Sequence, residues 1–159
     1  MTALDLAAQL CKEFEGFHKV VARRPIVLAA PYLCPAGYWT IGYGHLCSKD
    51  HPAISLEEGE ALLQLDLATA WGAALRQCPT LASQPENRQA AIIDFVFNLG
   101  EGRLRSSTLR KRILANRWDL VPIELRKWIW GGGRKLPGLI RRREAEISLL
   151  YSPPRQLRG

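Results

Sequence analysis

Between Gln84 and Leu99 the residues Ala90, Ala91, Ile93, Phe95, Val96 and Phe97 leave a helix that is apolar almost all round. Such a helix has no broad face to give to water, so it belongs at the centre of a core. The rest of the chain has to be arranged around it. With 159 residues, close to half of them apolar, the chain has enough material for one packed domain or for two small lobes sharing a core.

The segments on either side differ in character. Residues 2–15 read as a helix, with Thr2 as N-cap and Asp5 closing an approximate capping box. Leu4, Ala7, Cys11 and Phe14 make its apolar stripe, and Gly16 is its stop signal. Residues 17–50 are rich in Pro, Gly and aromatics with short alternating runs, which predicts a small antiparallel sheet. Tyr38–His45 alternates as one strand whose glycines, Gly42 and Gly44, leave one face bare. At Ser55 the pattern turns helical. SLEE is a capping box ahead of a helix to about Arg76, with Leu56, Ala61, Leu62, Leu65, Ala68 and Leu75 as its apolar positions. Three more helices follow over Ser107–Ala115, Trp118 to about Trp128, and Pro137–Tyr151. GGGRKLPG reads as a glycine-rich joint and SPPRQLRG as a frayed tail.

Charge and cysteine usage narrow the setting. The net charge of +7 calls for an anionic partner: nucleic acid, a phospholipid or lipopolysaccharide surface, or an acidic wall polymer. The cysteines at 11, 34, 47 and 78 form no CxxC and no zinc spacing, so they read as free thiols of a reducing compartment, with a Cys34–Cys47 bridge across the same strand as the alternative. The longest apolar stretch is broken by Arg23, Arg24 and two prolines, and the N-terminal residues lack the basic start of an export signal.

Glu15 is the first residue with chemical promise. It lies at the edge of an apolar stripe and at the carbonyl end of a helix, where burial and the dipole both oppose a charged carboxylate. A general acid needs that environment at neutral pH. Cys34 and Thr40 are the polar candidates on the following strand. Cys34 suits a nucleophile or a group beside a water, and equally a small buried hydrophobe. Thr40 also suits a plain strand former.

FEG at 14–16 and YLCPAGYWTIGYGH at 32–45 resemble the phage-type lysozymes (endolysins) of the T4 lysozyme family. That family carries a Glu at the end of its first helix, then Asp or Cys, then Thr after five intervening residues, the interval from Cys34 to Thr40. DFVFNLG at 94–100, SSTLRKRI at 106–113, NRWD at 116–119 and GGGRKLPGLIRRREAE at 131–146 resemble later family segments in order, over nearly the whole chain.

The resemblance implies an α+β, lysozyme-like fold: a small antiparallel β lobe joined to a larger, mainly helical lobe, with a cleft between. The small lobe would run over roughly 15–55, the helical lobe over 1–14 and 56–151, and a tail over 152–159, all within one domain. Glu15 would be the acid, Cys34 would stand where Asp is usual, and Thr40 would hold the attacking water. Tyr43, Gly44, Leu46, Phe97 and Asn98 would contact substrate, His45 would be a structural hydrogen-bonding residue, and Arg142 or Arg143 would reach Glu15. Such an arginine works against the proton a general acid must carry.

Eighteen residues separate Glu15 from Cys34, more than is usual in the family. The extra length, residues 19–30, is expected to form an enlarged hairpin or loop with Arg23 and Arg24 at its tip, solvated rather than bound.

The implied activity is muramidase: hydrolysis of the β-1,4 bond between N-acetylmuramic acid and N-acetylglucosamine in peptidoglycan, by a phage or prophage endolysin, without a cofactor. It implies a monomer that stays in the host cytoplasm until a holin-type pore gives it access to the periplasm and wall. The basic surface suits an anionic envelope, and the RRREAE helix reads either as a phosphate-binding face or as solvated charge pairs. Two alternatives remain. A lytic transglycosylase needs one acid and no bound water, against which Thr40 argues. A non-catalytic wall-binding or nucleic-acid-binding protein fits the charge, yet no nucleic-acid motif is present.

Overall fold

The computed structural model describes residues 1–152, so the frayed tail read from the sequence lies, but for Ser152, outside the described residues. Helix α1 (Ala3–Glu15) opens with the expected capping box, Thr2 accepting from the Asp5 amide and Asp5 accepting from Thr2. Gly16 ends it at φ +65°, a left-handed value that favours glycine.

The small lobe carries two short sheets rather than one. In the first, β1 (Val20–Ala22) pairs with β2 (Leu28–Ala29), and β2 pairs with β6 (Ile54–Ser55), all antiparallel. The expected extra hairpin is therefore present, and Arg23 and Arg24 are exposed in its connection. In the second, β3 (Tyr32–Leu33), β4 (Trp39–Ile41) and β5 (His45–Leu46) run antiparallel with β4 in the centre. Tyr38–His45 is thus a hairpin, not one strand. Gly42 and Gly44 adopt φ +61° and +86°, and the chain reverses between them.

Helix α2 (Leu56–Gln77) starts at the predicted Ser55 box. Its buried stripe is Gly59, Leu63, Leu67, Ala70, Ala73 and Ala74, which corrects the sequence reading. Leu56, Ala61, Leu65 and Ala68 are exposed, while Leu62 and Leu75 are half-buried. Apolar residues ring this helix, so spacing alone does not say which side meets the core.

A 3-10 turn (Pro79–Ser83) leads to α3 (Glu86–Leu99), which Pro85 opens. This is the all-apolar helix, and it does lie at the centre, packed against α1, α2 and later α7. Helix α4 (Glu101–Arg105) was not read from the sequence, and α5 spans Thr108–Leu114. Helix α6 is only Val121–Leu125, with Pro122 in its first turn, instead of the full Trp118–Trp128. The glycine-rich joint is a hairpin, β7 (Trp130–Gly131) with β8 (Arg134–Lys135), turning through Gly132 and Gly133 at positive φ. Helix α7 (Pro137–Leu150) closes the core. Among the described residues no helix is long and apolar enough to cross a membrane.

Candidate active site

Glu15 ends α1, and its side chain enters a cleft of about 570 Å³. The β3–β5 sheet contributes Tyr32, Cys34, Thr40, Gly44, His45 and Leu46 to the lining. The helices contribute Asp66 from α2 and Val96, Phe97 and Asn98 from α3. The end of a helix that begins with a sound cap, the turn of a hairpin and the end of the central helix therefore converge on one opening.

Glu15 is held from two sides. Arg142 Nη1 donates to its Oε1 at 2.6 Å. Gly44 packs against the other oxygen: a Cβ built there would stand 3.2 Å from Oε2. The glycines of the hairpin thus have a different purpose from a bare strand face. Gly44 makes the room in which the Glu15 carboxyl sits. Gly42 makes room for the hairpin to pack on Ile54 and the backbone of Gly59. Gly44→Ala is expected to destabilise by roughly 1–2 kcal/mol through its positive φ, and to lower activity further by displacing Glu15. Gly37→Ala is its control. That residue has φ +86° with nothing within 4 Å of a built Cβ, so only the backbone cost is expected there. Thermal melts beside activity measurements separate the two effects.

Thr40 is buried, and its hydroxyl donates to the Tyr32 carbonyl at 3.2 Å. With its one proton committed, its lone pairs are free to accept from a water. Cys34 opens the turn into β4; its carbonyl accepts from the Gly37 amide at 2.8 Å and its amide donates to Tyr38 at 2.9 Å. Its thiol is free, as are those of Cys11, Cys47 and Cys78.

His45 Nδ1 lies 2.9 Å from Asp66 Oδ2, tying β5 to α2. Asn98 accepts from Arg143 Nη2 at 2.9 Å. Of the two arginines, Arg142 reaches Glu15, while Arg143 is fully buried and holds Asn98 and Glu146. Leu46 is an exposed part of the lining. Tyr43 is not: it is buried in the core, 5.4 Å from the Phe17 ring, which corrects its assignment as a substrate contact.

The RRREAE segment is corrected too. Arg142, Arg143 and Glu146 are buried, so the segment is not the one solvated, charged face that either reading assumed. Only Arg141 and Glu144 are exposed, and Glu144 pairs with Arg126. Behind Arg142 stands Asp94, fully buried on α3 and given no role in the sequence reading, where it only opens the DFVFNLG segment. It accepts from Arg142 Nε and Nη2 at 2.9 and 2.8 Å and from the Cys11 thiol at 3.0 Å. The signal was present: an acid inside a helix buried on every side must have a partner.

The comparisons with known proteins converge. The protein-family model described as phage lysozyme matches residues 12–146. The endolysin of Acyrthosiphon pisum secondary endosymbiont phage 1 is 36% identical over 126 residues, covering 76% of this chain and 85% of its own. The SAR-endolysin of Bacteriophage PS119 is 36% identical over 121 residues, covering 73% and 70%. Among solved structures, the muramidase domain of SpmX from Asticcacaulis excentricus superposes with a TM-score of 0.77 at 28% identity, covering 92% of this chain and 95% of that domain.

Proposed function

This chain belongs to the phage lysozyme family, and we propose that Glu15, Thr40 and Cys34 carry that family's chemistry in it. The protein is a peptidoglycan-hydrolysing phage endolysin, a lysozyme-type glycosidase. Its proposed bond is the β-1,4 link between N-acetylmuramic acid and N-acetylglucosamine, as in the T4-type muramidases.

The observation that carries this reading is the carboxyl of Glu15 in the cleft, fixed by Arg142 on one oxygen and by Gly44 at the other. Glu15 protonates the glycosidic oxygen, and the bond to the anomeric carbon breaks through an oxocarbenium-like state. A water held by Thr40 and Cys34 attacks from the far face; its oxygen bonds to the anomeric carbon as the glycosidic bond breaks, its surplus proton passes to solvent, and Glu15 regains a proton from solvent before the next turnover. That geometry inverts the anomeric centre and needs no covalent intermediate. A neutral thiol stabilises developing positive charge less well than a carboxylate would, so the role proposed for Cys34 is to position the water. Phe97, Asn98 and Leu46 line the cleft and are the proposed sugar contacts.

We further propose that residues 1–159 form a single domain of this kind, that the enzyme acts as a monomer, and that a holin-type pore gives it access to the wall.

The test is clearing of outer-membrane-permeabilised Gram-negative cells, with the fragments analysed. Clearing with reducing ends supports the reading, anhydro sugars point to a transglycosylase, and absence of clearing on every wall offered opposes it. In the same assay Cys34→Ser is expected to stay within about tenfold of the wild type, because a hydroxyl also holds a water. Near-complete loss in a folded Cys34→Ser variant would instead assign the thiol a chemical step.

A further inference from the structure

Arg142 poses a difficulty for the acid that it holds. A lone guanidinium 2.6 Å from Glu15 would favour the ionised carboxylate, whereas a general acid must arrive with its proton. The other edge of the same guanidinium is turned away from the cleft and paired bidentately with Asp94. The Asp94 side chain is fully buried and that of Arg142 is 5% exposed, so this pair is shielded from water far better than the Glu15 contact. We infer that Asp94 is a charge-compensating positioning residue: it neutralises Arg142, so that Arg142 orients Glu15 without holding it ionised. The inference rests on Glu15 being the acid.

The surroundings leave Asp94 as the anion that faces Arg142. From α1, Cys11 meets it as a neutral thiol, because burial first and Asp94 second push that thiol strongly up. From α7, Glu146 meets it. Burial, and then Asp94 itself, push the Glu146 carboxyl well above the ordinary carboxylate range. Its Oε1 accepts from Arg143 Nη2 at 2.6 Å and its Oε2 is buried without a hydrogen-bond partner, so Glu146 is turned to Arg143 rather than to Arg142. Arg143, also on α7, is engaged by Glu146 Oε1 at 2.6 Å and by Asn98. Burial works against the charge of Asp94, but the hydrogen bonds and charge of Arg142 prevail and hold its carboxyl low.

Around Glu15 the other charged or titratable groups lining the cleft are Tyr32, Cys34, His45 with its partner Asp66, and the Arg76–Glu101 pair. The contact that Asp94 governs is the one at hydrogen-bond distance.

The experiment follows the side-chain carboxyl resonance of Glu15, in protein carrying isotope-labelled glutamate, through a pH titration. Its assignment comes from the signal lost in Glu15→Gln. In Asp94→Asn the uncompensated Arg142 is expected to move the Glu15 midpoint to lower pH by about one unit or more. The alkaline limb of the clearing rate should move with it. An unmoved midpoint, with clearing reduced equally at every pH, would mean that Asp94 only supports the fold and would overturn the inference.

The double variant Asp94→Asn/Arg142→Gln removes both buried charges together, so it decides the matter even if Asp94→Asn does not fold. Its midpoint is expected within about half a unit of the wild type; a larger displacement overturns the inference. The resonance reports the proton on Glu15 without catalysis. An error in assigning Glu15 as the acid would show separately, as clearing by Glu15→Gln.

Discussion

Glu15→Gln keeps the fold and leaves permeabilised cells uncleared, with the rate lowered by at least about a hundredfold. The substitution preserves shape, and the amide oxygen can still accept from Arg142. What it removes is the proton that the leaving oxygen must receive. The side chain is about a quarter exposed and lies in a cleft rather than the core, so little stability is at stake. Circular dichroism and a thermal melt alongside the turbidity assay check both halves of the expectation. Equal clearing by the two proteins would place the acid elsewhere.

Arg142→Ala has the largest expected effect on stability. It leaves Asp94 buried, with the Cys11 thiol as its remaining hydrogen-bond donor. Stripping one partner from a buried ion pair costs about 3–5 kcal/mol, because the remaining charge has neither water nor a counterion. For a chain of this size that corresponds to a fall in Tm of about ten degrees or more. Arg126→Ala breaks an exposed pair with Glu144, with side chains 53% and 48% accessible, and should leave the unfolding midpoint close to that of the wild type. Urea unfolding of the two variants side by side measures the contrast. Equal small losses would mean that the buried network is not a structural support.

Much of this was legible in the chain. Both capping boxes, at Thr2–Asp5 and Ser55–Glu58, form as local chemistry dictates, because they involve residues only three apart. The central helix announced itself because so little of its surface is polar. Glu15 could be placed because a helix end and a following glycine fix its position along the chain.

The rest depends on contacts that spacing does not encode. Helix α2 has apolar residues on several sides, so only the position of α3 decides that Leu63 and Leu67 face inward while Leu65 does not. Arg142 and Arg143 are neighbours on α7 and point about 100° apart. Which one meets Glu15 is set by how α7 docks against α1 and α3. Tyr43 sits between two glycines in a turn, and the turn swings its ring onto Phe17 rather than into the cleft. Asp94 and Glu146 gain their meaning only from each other and from the two guanidiniums between α3 and α7.

The most direct test of the central claim is a digest of purified peptidoglycan in isotopically labelled water, with the soluble fragments weighed by mass spectrometry. The account predicts that the wild type releases fragments whose muramic acid reducing ends carry one labelled oxygen, and that Glu15→Gln releases none above background. Unlabelled anhydro-muramic ends, or equal release by the variant, would contradict hydrolysis driven by Glu15 in this cleft.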